Sequence, residues 1–190
     1  NLPSPKLRFA ERTGPLKLAV VGGSLGAQAL NQLVPQALAL LPAETKFEVV
    51  HQAGEKMLPE LQSNYAQANV QGNCVAFIDD MAALYGDVDV MICRAGAMTV
   101  SELAAAGVAS IMVPYPSAVD DHQTHNAALL TTAHAGICLP QRSLTAQSLA
   151  DVLYALSREK LLAQAVAART VAKPNATHDV AQACLDAVKV

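Results

Sequence analysis

The chain has 190 residues, of which 52% are hydrophobic and 15% are charged, so it has ample material for a buried core. Its formal net charge of -3, with Lys and Arg scattered along the chain, gives no basic field and excludes duplex nucleic acid as an expected partner. Aromatic residues make up only 4% of the chain, which argues against a sandwich or barrel and favours helices packed on a sheet.

Residues 1–16 contain Pro3, Pro5, Gly14 and Pro15 and show no sustained apolar period, so we predict an extended interdomain linker. After it, short apolar runs alternate with helix-like stretches, which is typical of a parallel sheet buried on both faces. The predicted pairs of strand and helix are 18–21 with 27–41, 47–51 with 56–67, 74–78 with 80–86, 88–93 with 99–106, 110–113 with 121–134 and 137–139 with 145–157. They predict an α/β fold, a doubly wound, Rossmann-like parallel sheet over residues 17–158.

Three prolines mark the weak points of this assignment. Pro35 and Pro59 fall inside predicted helices and are expected to kink or shorten them. Residues 159–190 are predicted to form two further helices, broken at Pro174, that pack on the domain and toward an N-terminal domain missing from this sequence.

The cysteines and the chain start bear on the compartment. The widely spaced Cys74, Cys93, Cys138 and Cys184 form no C-x-x-C pair, so we predict reduced core residues in a cytosolic protein. No apolar run reaches the roughly 18 residues that cross a bilayer, and the first five residues lack the apolar stretch of a signal peptide. We expect no membrane insertion by this chain. Because it does not begin with Met, we expect it to be part of a longer protein.

The loop at residues 22–27, Gly-Gly-Ser-Leu-Gly-Ala, follows the first predicted strand and opens a helix. Glycine lets the backbone approach a phosphate, the helix start attracts its charge, and Ser24 adds a hydroxyl donor. The spacing matches neither G-x-G-x-x-G nor a P-loop. A tight strand-to-helix turn without a ligand is therefore an equal alternative.

Residues 77–81, Phe-Ile-Asp-Asp-Met, follow the third predicted strand. An apolar side chain beside exposed backbone can flank a flat base, but the pattern by itself favours Asp79 or Asp80 as a helix N-cap.

Residues 94–102 follow the fourth predicted strand and contain Gly96, which permits close approach of a ligand, and Glu102, which can accept hydrogen bonds from a ribose diol. The spacing of Thr99 and Glu102 is also that of a capping box, which spacing alone favours.

Residues 114–126 open a polar helix in which Gln123 and Asn126 share a face and offer neutral donors and acceptors to sugar hydroxyls. His122 and His125 also share a face, but two imidazoles without a third ligand favour a solvated helix start over a metal site.

Taken in order, the segments 22–27, 77–81, 94–102 and 121–127 resemble the signature segments of the MurG family, within glycosyltransferase family 28. The resemblance covers the C-terminal domain of that family over residues 1–190. It implies a GT-B fold with two Rossmann-like domains, and an inverting transfer of N-acetylglucosamine from UDP-N-acetylglucosamine to lipid I, which forms lipid II in peptidoglycan synthesis. This chain would be the donor half of an enzyme peripheral to the cytoplasmic side of the inner membrane, and would hold no metal or other cofactor.

The resemblance also implies roles for individual residues. By this resemblance, Ser24 would contact the diphosphate, Ile78 the uracil and Glu102 the ribose. His122 and Gln123 would contact the hexosamine, although some relatives carry Gln in place of His122. The implied donor-binding residues are Gly23, Ser24, Gly26, Ile78, Gly96, Ala97, Met98, Glu102, His122, Gln123 and Asn126. The catalytic histidine and the acceptor-binding loops of the family lie in the N-terminal domain, so no catalytic residue is expected in this chain.

Three alternatives stay open. The chain can be a stand-alone subunit that acts with a separate partner chain, as in the dolichol-linked N-acetylglucosaminyltransferase. It can be a dinucleotide-dependent oxidoreductase, although the acidic ribose anchor expected after the second strand is replaced by His51, Gln52 and Ala53. It can also be a nucleotide-binding module without enzymatic activity.

Overall fold

The structure, a computed structural model, describes residues 2–23, 27–116 and 121–188. Its strands are β1 (Leu16–Val21), β2 (Phe47–Gln52), β3 (Asn73–Val75), β4 (Val90–Cys93), β5 (Ala109–Met112) and β6 (Gly136–Cys138). They form one sheet in the order β3-β2-β1-β4-β5-β6, with every neighbouring pair parallel. This confirms the predicted doubly wound sheet and puts its topological switch point between β1 and β4.

Helices cover both faces of the sheet. The helices of the described residues are α1 (Pro5–Phe9), α2 (Gln28–Ala39), α3 (Leu58–Gln67), α4 (Met81–Asp87), α5 (Ala97–Ala106), α6 (His122–Thr132), α7 (Ala146–Tyr154), α8 (Arg158–Thr170) and α9 (Ala176–Val188), of which α9 buries no residue. Short 3-10 turns at Glu55–Met57 and Gln141–Ser143 precede α3 and α7.

The core is two apolar layers, one on each face of the sheet. Leu18 and Val20 of β1 pack in the layer with α2, α3 and α7, whereas Ala19 faces the layer with α4, α5 and α6, and α8 contributes to both layers. Successive strand residues point to opposite faces, so a strand covered on both sides is apolar throughout. All four residues of β4 are buried, which explains its continuous apolar run.

The predicted extended conformation is wrong for residues 5–9, which form α1. Ser4 caps this helix by accepting a hydrogen bond from the N–H of Leu7, at 3.4 Å, and Pro5 occupies the first helical position. A proline there loses nothing, because its missing N–H has no partner inside a helix. That residues 1–16 link two domains stays a prediction.

Pro35 lies inside α2 without ending it. A proline cannot donate to the carbonyl four residues earlier, here that of Asn31. The side-chain amide of Asn64 in α3 donates to that carbonyl instead, at 3.0 Å, so tertiary packing supplies the missing partner. Pro59 lies in the first turn of α3, where the loss of an N–H costs nothing.

The two predicted C-terminal helices differ in their packing. α8 buries Leu161, Ala165 and Ala168 against the domain. Every residue of α9 is exposed, so the expected packing on the domain is seen for α8 and not for α9. The orientation of this region toward a further domain stays a prediction.

The cysteines are free, but they do not share one environment. Cys93 is buried in β4, Cys74 and Cys138 are half-buried, and Cys184 is exposed on α9. The predicted core position is therefore wrong for Cys184. Among the described residues, no helix has the length and apolar character needed to cross a membrane.

Candidate functional site

The loops after β1 and β4 meet at the carboxyl edge of the sheet, as predicted from their central strands. They line one open cavity of about 680 Å³, and a residue of α6 also lines it. Gly22 and Gly23 come from the β1 loop, Arg94 and Gly96 from the β4 loop, and Gln123 from α6. Such a crevice forms where the connections from two neighbouring parallel strands lead to opposite sides of the sheet. Ligands of open α/β sheets bind there.

Two helices begin at this cavity. The residues before their first turns are Ala27 for α2 and Gly96 for α5, neither of which has a side chain that can cap a helix. The backbone N–H groups of a first turn have no partner within their own helix, and the helix dipole adds partial positive charge there. Two such ends facing one cavity form a suitable environment for an anion.

Arg94 is the only charged side chain among the described residues that line the cavity. Its Nη1 donates to the carbonyls of Val113 and Pro114, at 3.0 and 3.3 Å, and its guanidinium lies 5.4 Å from the ring centroid of Tyr115. Burial lowers the pKa of Arg94, and Tyr115 partly opposes this shift. The cation is therefore held in place against the cavity wall.

Hydrogen bonds fasten the start of α6 to the neighbouring loops. The backbone N–H of Tyr115 donates to Oε1 of Gln123, at 2.8 Å, and Nδ2 of Asn126 donates to the carbonyl of Ala95, at 3.0 Å. The first contact turns the carbonyl end of Gln123 toward the backbone. The amide NH₂ of Gln123 is then the group that can donate to a ligand in the cavity.

His122 and His125 are both exposed on the first turn of α6, as expected for a solvated helix start. Nδ1 of His125 lies 3.2 Å from the carbonyl oxygen of Asp121. Over the ranges that the structure covers, no three His, Cys, Asp or Glu residues are grouped so that they could hold a metal ion.

The segment after β3 places an apolar residue at the same edge. β3 ends at Val75, earlier than predicted, so Phe77 and Ile78 lie in the loop. Phe77 is 63% exposed and Ile78 is half-buried. Asp80 caps α4 by accepting from the N–H of Ala83, at 2.8 Å, which confirms the N-cap role for this aspartate.

The capping box predicted for Thr99 and Glu102 is wrong. Helix α5 begins at Ala97, so both residues lie inside it rather than at its start. The carboxylate of Glu102 instead accepts a hydrogen bond from the hydroxyl of Tyr85 in α4, at 2.7 Å. Glu102 is therefore an exposed carboxylate with a partner outside its own helix.

The predicted site residues divide into three groups. Gly23, Gly96 and Gln123 line the cavity. The remaining described ones lie outside its lining, in the loop after β3, in α5 and in the first turns of α6, and are Ile78, Ala97, Met98, Glu102, His122 and Asn126. Ser24 and Gly26 lie outside the described residues.

Sequence reasoning missed Gln52, Tyr85 and Arg94. Nε2 of Gln52, the last residue of β2, donates to the carbonyls of Gly23 and Ala76, at 3.0 and 3.1 Å. A polar residue at the carboxyl end of a strand was the available signal for Gln52, and a cation directly after β4 was the signal for Arg94. Tyr85 gave no such signal, since its partner is distant in sequence.

The chain matches the glycosyltransferase family 28 C-terminal domain over residues 17–183. The chain belongs to this family. It is 55% identical over 191 residues to the UDP-N-acetylglucosamine--N-acetylmuramyl-(pentapeptide) pyrophosphoryl-undecaprenol N-acetylglucosamine transferase of Ralstonia nicotianae, covering 99% of this chain and 52% of that relative. It is 57% identical over 188 residues to the transferase of the same description from Bordetella pertussis, covering 99% of this chain and 53% of the relative.

Solved structures agree with this family membership. The crystal structure of Acinetobacter baumannii MurG is 42% identical, with a TM-score of 0.88 over 94% of this chain and 52% of that chain. The glycotransferase of kitacinnamycin has a TM-score of 0.61 at 18% identity, covering 90% of this chain and 44% of its own, and shows the fold alone. The predicted resemblance and the Rossmann-like fold are confirmed. The chain spans about half the length of the curated relatives it matches.

Proposed function

We propose that this chain is the donor-binding half of an inverting glycosyltransferase, and that it holds UDP-N-acetylglucosamine for transfer of N-acetylglucosamine to lipid I, which gives lipid II in peptidoglycan synthesis. The observation that carries the proposal is the cavity between the β1 and β4 loops, with two uncapped helix starts and the cation of Arg94. The family match and the names of the relatives from Ralstonia nicotianae and Bordetella pertussis support the substrate and the reaction.

The diphosphate belongs at the two helix starts. Gly23 has φ +86, a conformation that side chains other than hydrogen rarely adopt, and Gly96 has no side chain to keep a phosphate away from the start of α5. The backbone around Ala97 and Met98 would donate to the phosphates, as would Ser24 and Gly26 by their resemblance to the family. During transfer, the departing diphosphate gains negative charge that these fixed donors stabilise.

The nucleoside belongs on the β3 side of the diphosphate. Ile78 supplies an apolar surface for uracil, while the main chain beside it reads the edge of the base. Glu102 accepts hydrogen bonds from the ribose hydroxyls, a role that suits an exposed carboxylate on a helix next to the cavity.

The hexosamine belongs at the start of α6, near His122, Gln123 and Asn126. The NH₂ of Gln123 donates to a sugar hydroxyl while its carbonyl is held by the N–H of Tyr115. Asn126 acts through Ala95, whose carbonyl it holds, and so fixes the loop that carries Arg94 and Gly96. The imidazole of His122 replaces the glutamine of some relatives and can donate or accept at the same sugar.

The remaining half of the active site belongs to an N-terminal domain. Transfer with inversion needs a general base that deprotonates the acceptor hydroxyl, and an acceptor held at reacting distance. We assign both to that domain, joined through residues 1–16 and approached by the helices of residues 159–190. The complete enzyme would act as a peripheral protein at the cytoplasmic side of the inner membrane, where lipid I is presented.

Calorimetric titration of the chain with UDP, UDP-N-acetylglucosamine and NAD tests the donor assignment. We expect binding of both uridine nucleotides and none of NAD, because Gln52 stands at the end of β2 where a dinucleotide enzyme needs a carboxylate. Binding of NAD in preference to UDP would reject the proposal in favour of an oxidoreductase.

Incubation with UDP-N-acetylglucosamine and a lipid I analogue, followed by product chromatography, tests the assignment of the base. We expect no transfer by this chain alone. Sustained turnover would contradict the half-site and direct attention to His122 or Asp121 as the base.

A further inference from the structure

Beneath the exposed carboxylate of Glu102 lies a buried phenol. Tyr85 of α4 is only 5% exposed, and its ring packs in the core layer with Val88 and Leu103. Its hydroxyl donates to Oε2 of Glu102, at 2.7 Å. Burial, followed by the hydrogen bond and charge of Glu102, raises the pKa of Tyr85, so the phenol keeps its proton and remains a donor at neutral pH.

This contact limits the freedom of a flexible side chain. An exposed glutamate samples many rotamers, and ordering such a side chain on ligand binding costs about 0.5 to 1.5 kcal/mol, which corresponds to about two- to tenfold in affinity. The phenol orders the carboxylate before any ligand arrives. It engages Oε2, while a carboxylate offers about four lone-pair sites in all, so Glu102 retains acceptor capacity for a diol.

The donor itself is held at both ends of its helix. Asp80 caps the start of α4 through the N–H of Ala83. At the other end, the guanidinium of Arg8 donates to the carbonyl of Tyr85, and Nη2 of Arg12 donates to that of Gly86, at 2.6 Å. A helix of only seven residues fastened at both ends gives the phenol a fixed position.

We propose that Tyr85 is a positioning residue for ribose recognition, which holds the Glu102 carboxylate in the orientation that accepts the ribose hydroxyls. The inference rests on the proposed role of Glu102 in donor binding. It adds a residue from α4, a helix whose side chains line no part of the cavity described above.

The test compares UDP with 2′,3′-dideoxy-UDP by calorimetric titration of the 190-residue chain and of its Tyr85→Phe variant. The substitution removes one hydroxyl and keeps the buried ring. We expect affinity for UDP to fall about two- to tenfold, with affinity for the dideoxy nucleotide unchanged. In a Glu102→Ala background, Tyr85→Phe should have no further effect on UDP binding.

Tyr65→Phe is the matched control. Tyr65 is also a buried tyrosine, 4% exposed, but its hydroxyl meets His51 on the opposite face of the sheet. We expect this variant to lose stability and to keep the ratio of the two affinities.

Several results would overturn the inference: an unchanged affinity of Tyr85→Phe for UDP, an equal loss for both nucleotides, or a further loss in the Glu102→Ala background. Failure of the unmodified chain to bind UDP is a different result, since it rejects the proposed function together with the inference. Equal affinity of the unmodified chain for both nucleotides rejects the ribose role of Glu102, and the inference with it.

Discussion

Nε2 of His51 lies 3.1 Å from Oδ1 of Asn31, and Nδ1 of the same ring lies 3.1 Å from the hydroxyl of Tyr65. The imidazole is fully buried on β2, with Asn31 on α2 and Tyr65 on α3. Since an amide oxygen only accepts, Nε2 carries the proton and Nδ1 accepts from the phenol. The neutral ring therefore has a partner at each nitrogen and joins β2 to two helices.

Lowering the pH should destabilise the fold through His51. Burial lowers the pKa of His51 to about 3, whereas an unfolded histidine titrates near 6.5. Between these values only the unfolded chain binds the proton, so stability is complete above about pH 6.5 and falls by about 1.4 kcal/mol per pH unit below it. We expect His51 to account for about 2 kcal/mol of loss between pH 7.5 and pH 5.

Urea unfolding at both pH values, with the non-titrating variant His51→Gln for comparison, measures this contribution. The variant should be less stable at pH 7.5 and show the smaller drop at pH 5. An equal drop in both proteins would assign the pH dependence to other groups.

Replacing Gln52 should loosen the glycine loop. Its amide bridges the carbonyls of Gly23 and Ala76, and its Oε1 is buried without a partner among the described residues. Gln52→Met removes the two bonds together with the unpaired oxygen, for a net cost of about 1 kcal/mol. Gln52→Glu sets a carboxylate against two carbonyl oxygens and should be the more damaging change, both to stability and to UDP affinity. Urea unfolding and UDP titration of the two variants test this order. A Gln52→Glu variant that is as stable as Gln52→Met and binds UDP as tightly would contradict it.

Glu102 should matter more to nucleotide binding than Ile78. Loss of hydrogen bonds to a charged group costs about 1.5 to 3 kcal/mol, so Glu102→Ala should lower UDP affinity about tenfold to a hundredfold. Ile78→Ala loses an apolar contact but keeps the backbone that reads the base, so a smaller effect is expected. The control Glu159→Ala removes another exposed helical glutamate, far along the chain on α8, and should leave titration unchanged. A weak effect of Glu102→Ala together with a strong one of Ile78→Ala would reverse the assignment.

Asp89 should contribute to stability and not to binding. It is 1% exposed, lies 2.6 Å from Nη1 of Arg12 and 3.5 Å from Nη2 of Arg158, and sits at the amino edge of the sheet. Because both guanidiniums are partly exposed, Asp89→Asn should cost at most about 3 kcal/mol, at the lower end for a broken buried pair. The matched control is Asp87→Asn, whose contact with Lys17 is exposed and worth about 0 to 1 kcal/mol. Denaturant unfolding compares the two, and equal costs would contradict the role of burial.

Most of the fold could be predicted because a strand that is buried on both faces is recognisable from a run of consecutive apolar residues. The run at Val90–Cys93 is apolar throughout and is covered on both faces. One wrong expectation, at Pro35, depended on a partner that is distant in the sequence. Pro35 stays helical because Asn64 donates to the orphaned carbonyl of Asn31. The helix at Pro5 is a local case, because a proline in a sequence indicates a break as readily as it indicates a first helical position.

The site likewise has features that the order of strands predicts and features that residue spacing does not predict. The loops after β1 and β4 could be brought together from strand order alone, since both follow central strands. The capping box failed because the spacing of Thr99 and Glu102 does not determine where a helix begins, and α5 starts directly after Gly96. The partner of Glu102, Tyr85, lies 17 residues earlier on another helix, a distance at which spacing carries no information.

Arg8 of α1 and Arg12, three residues beyond the end of that helix, have a mechanical consequence. The guanidinium groups of Arg8 and Arg12 donate hydrogen bonds to main-chain carbonyls at the amino edge of the sheet. These include the carbonyls of Tyr85 and Gly86 at the end of α4. Arg8 also donates to the carbonyls of Ala106 and Gly107 at the end of α5, so the segment that precedes β1 is fastened to the ends of both α4 and α5. Because α4 also carries the phenol that meets Glu102, one of these attachments lies only two hydrogen bonds from the carboxylate.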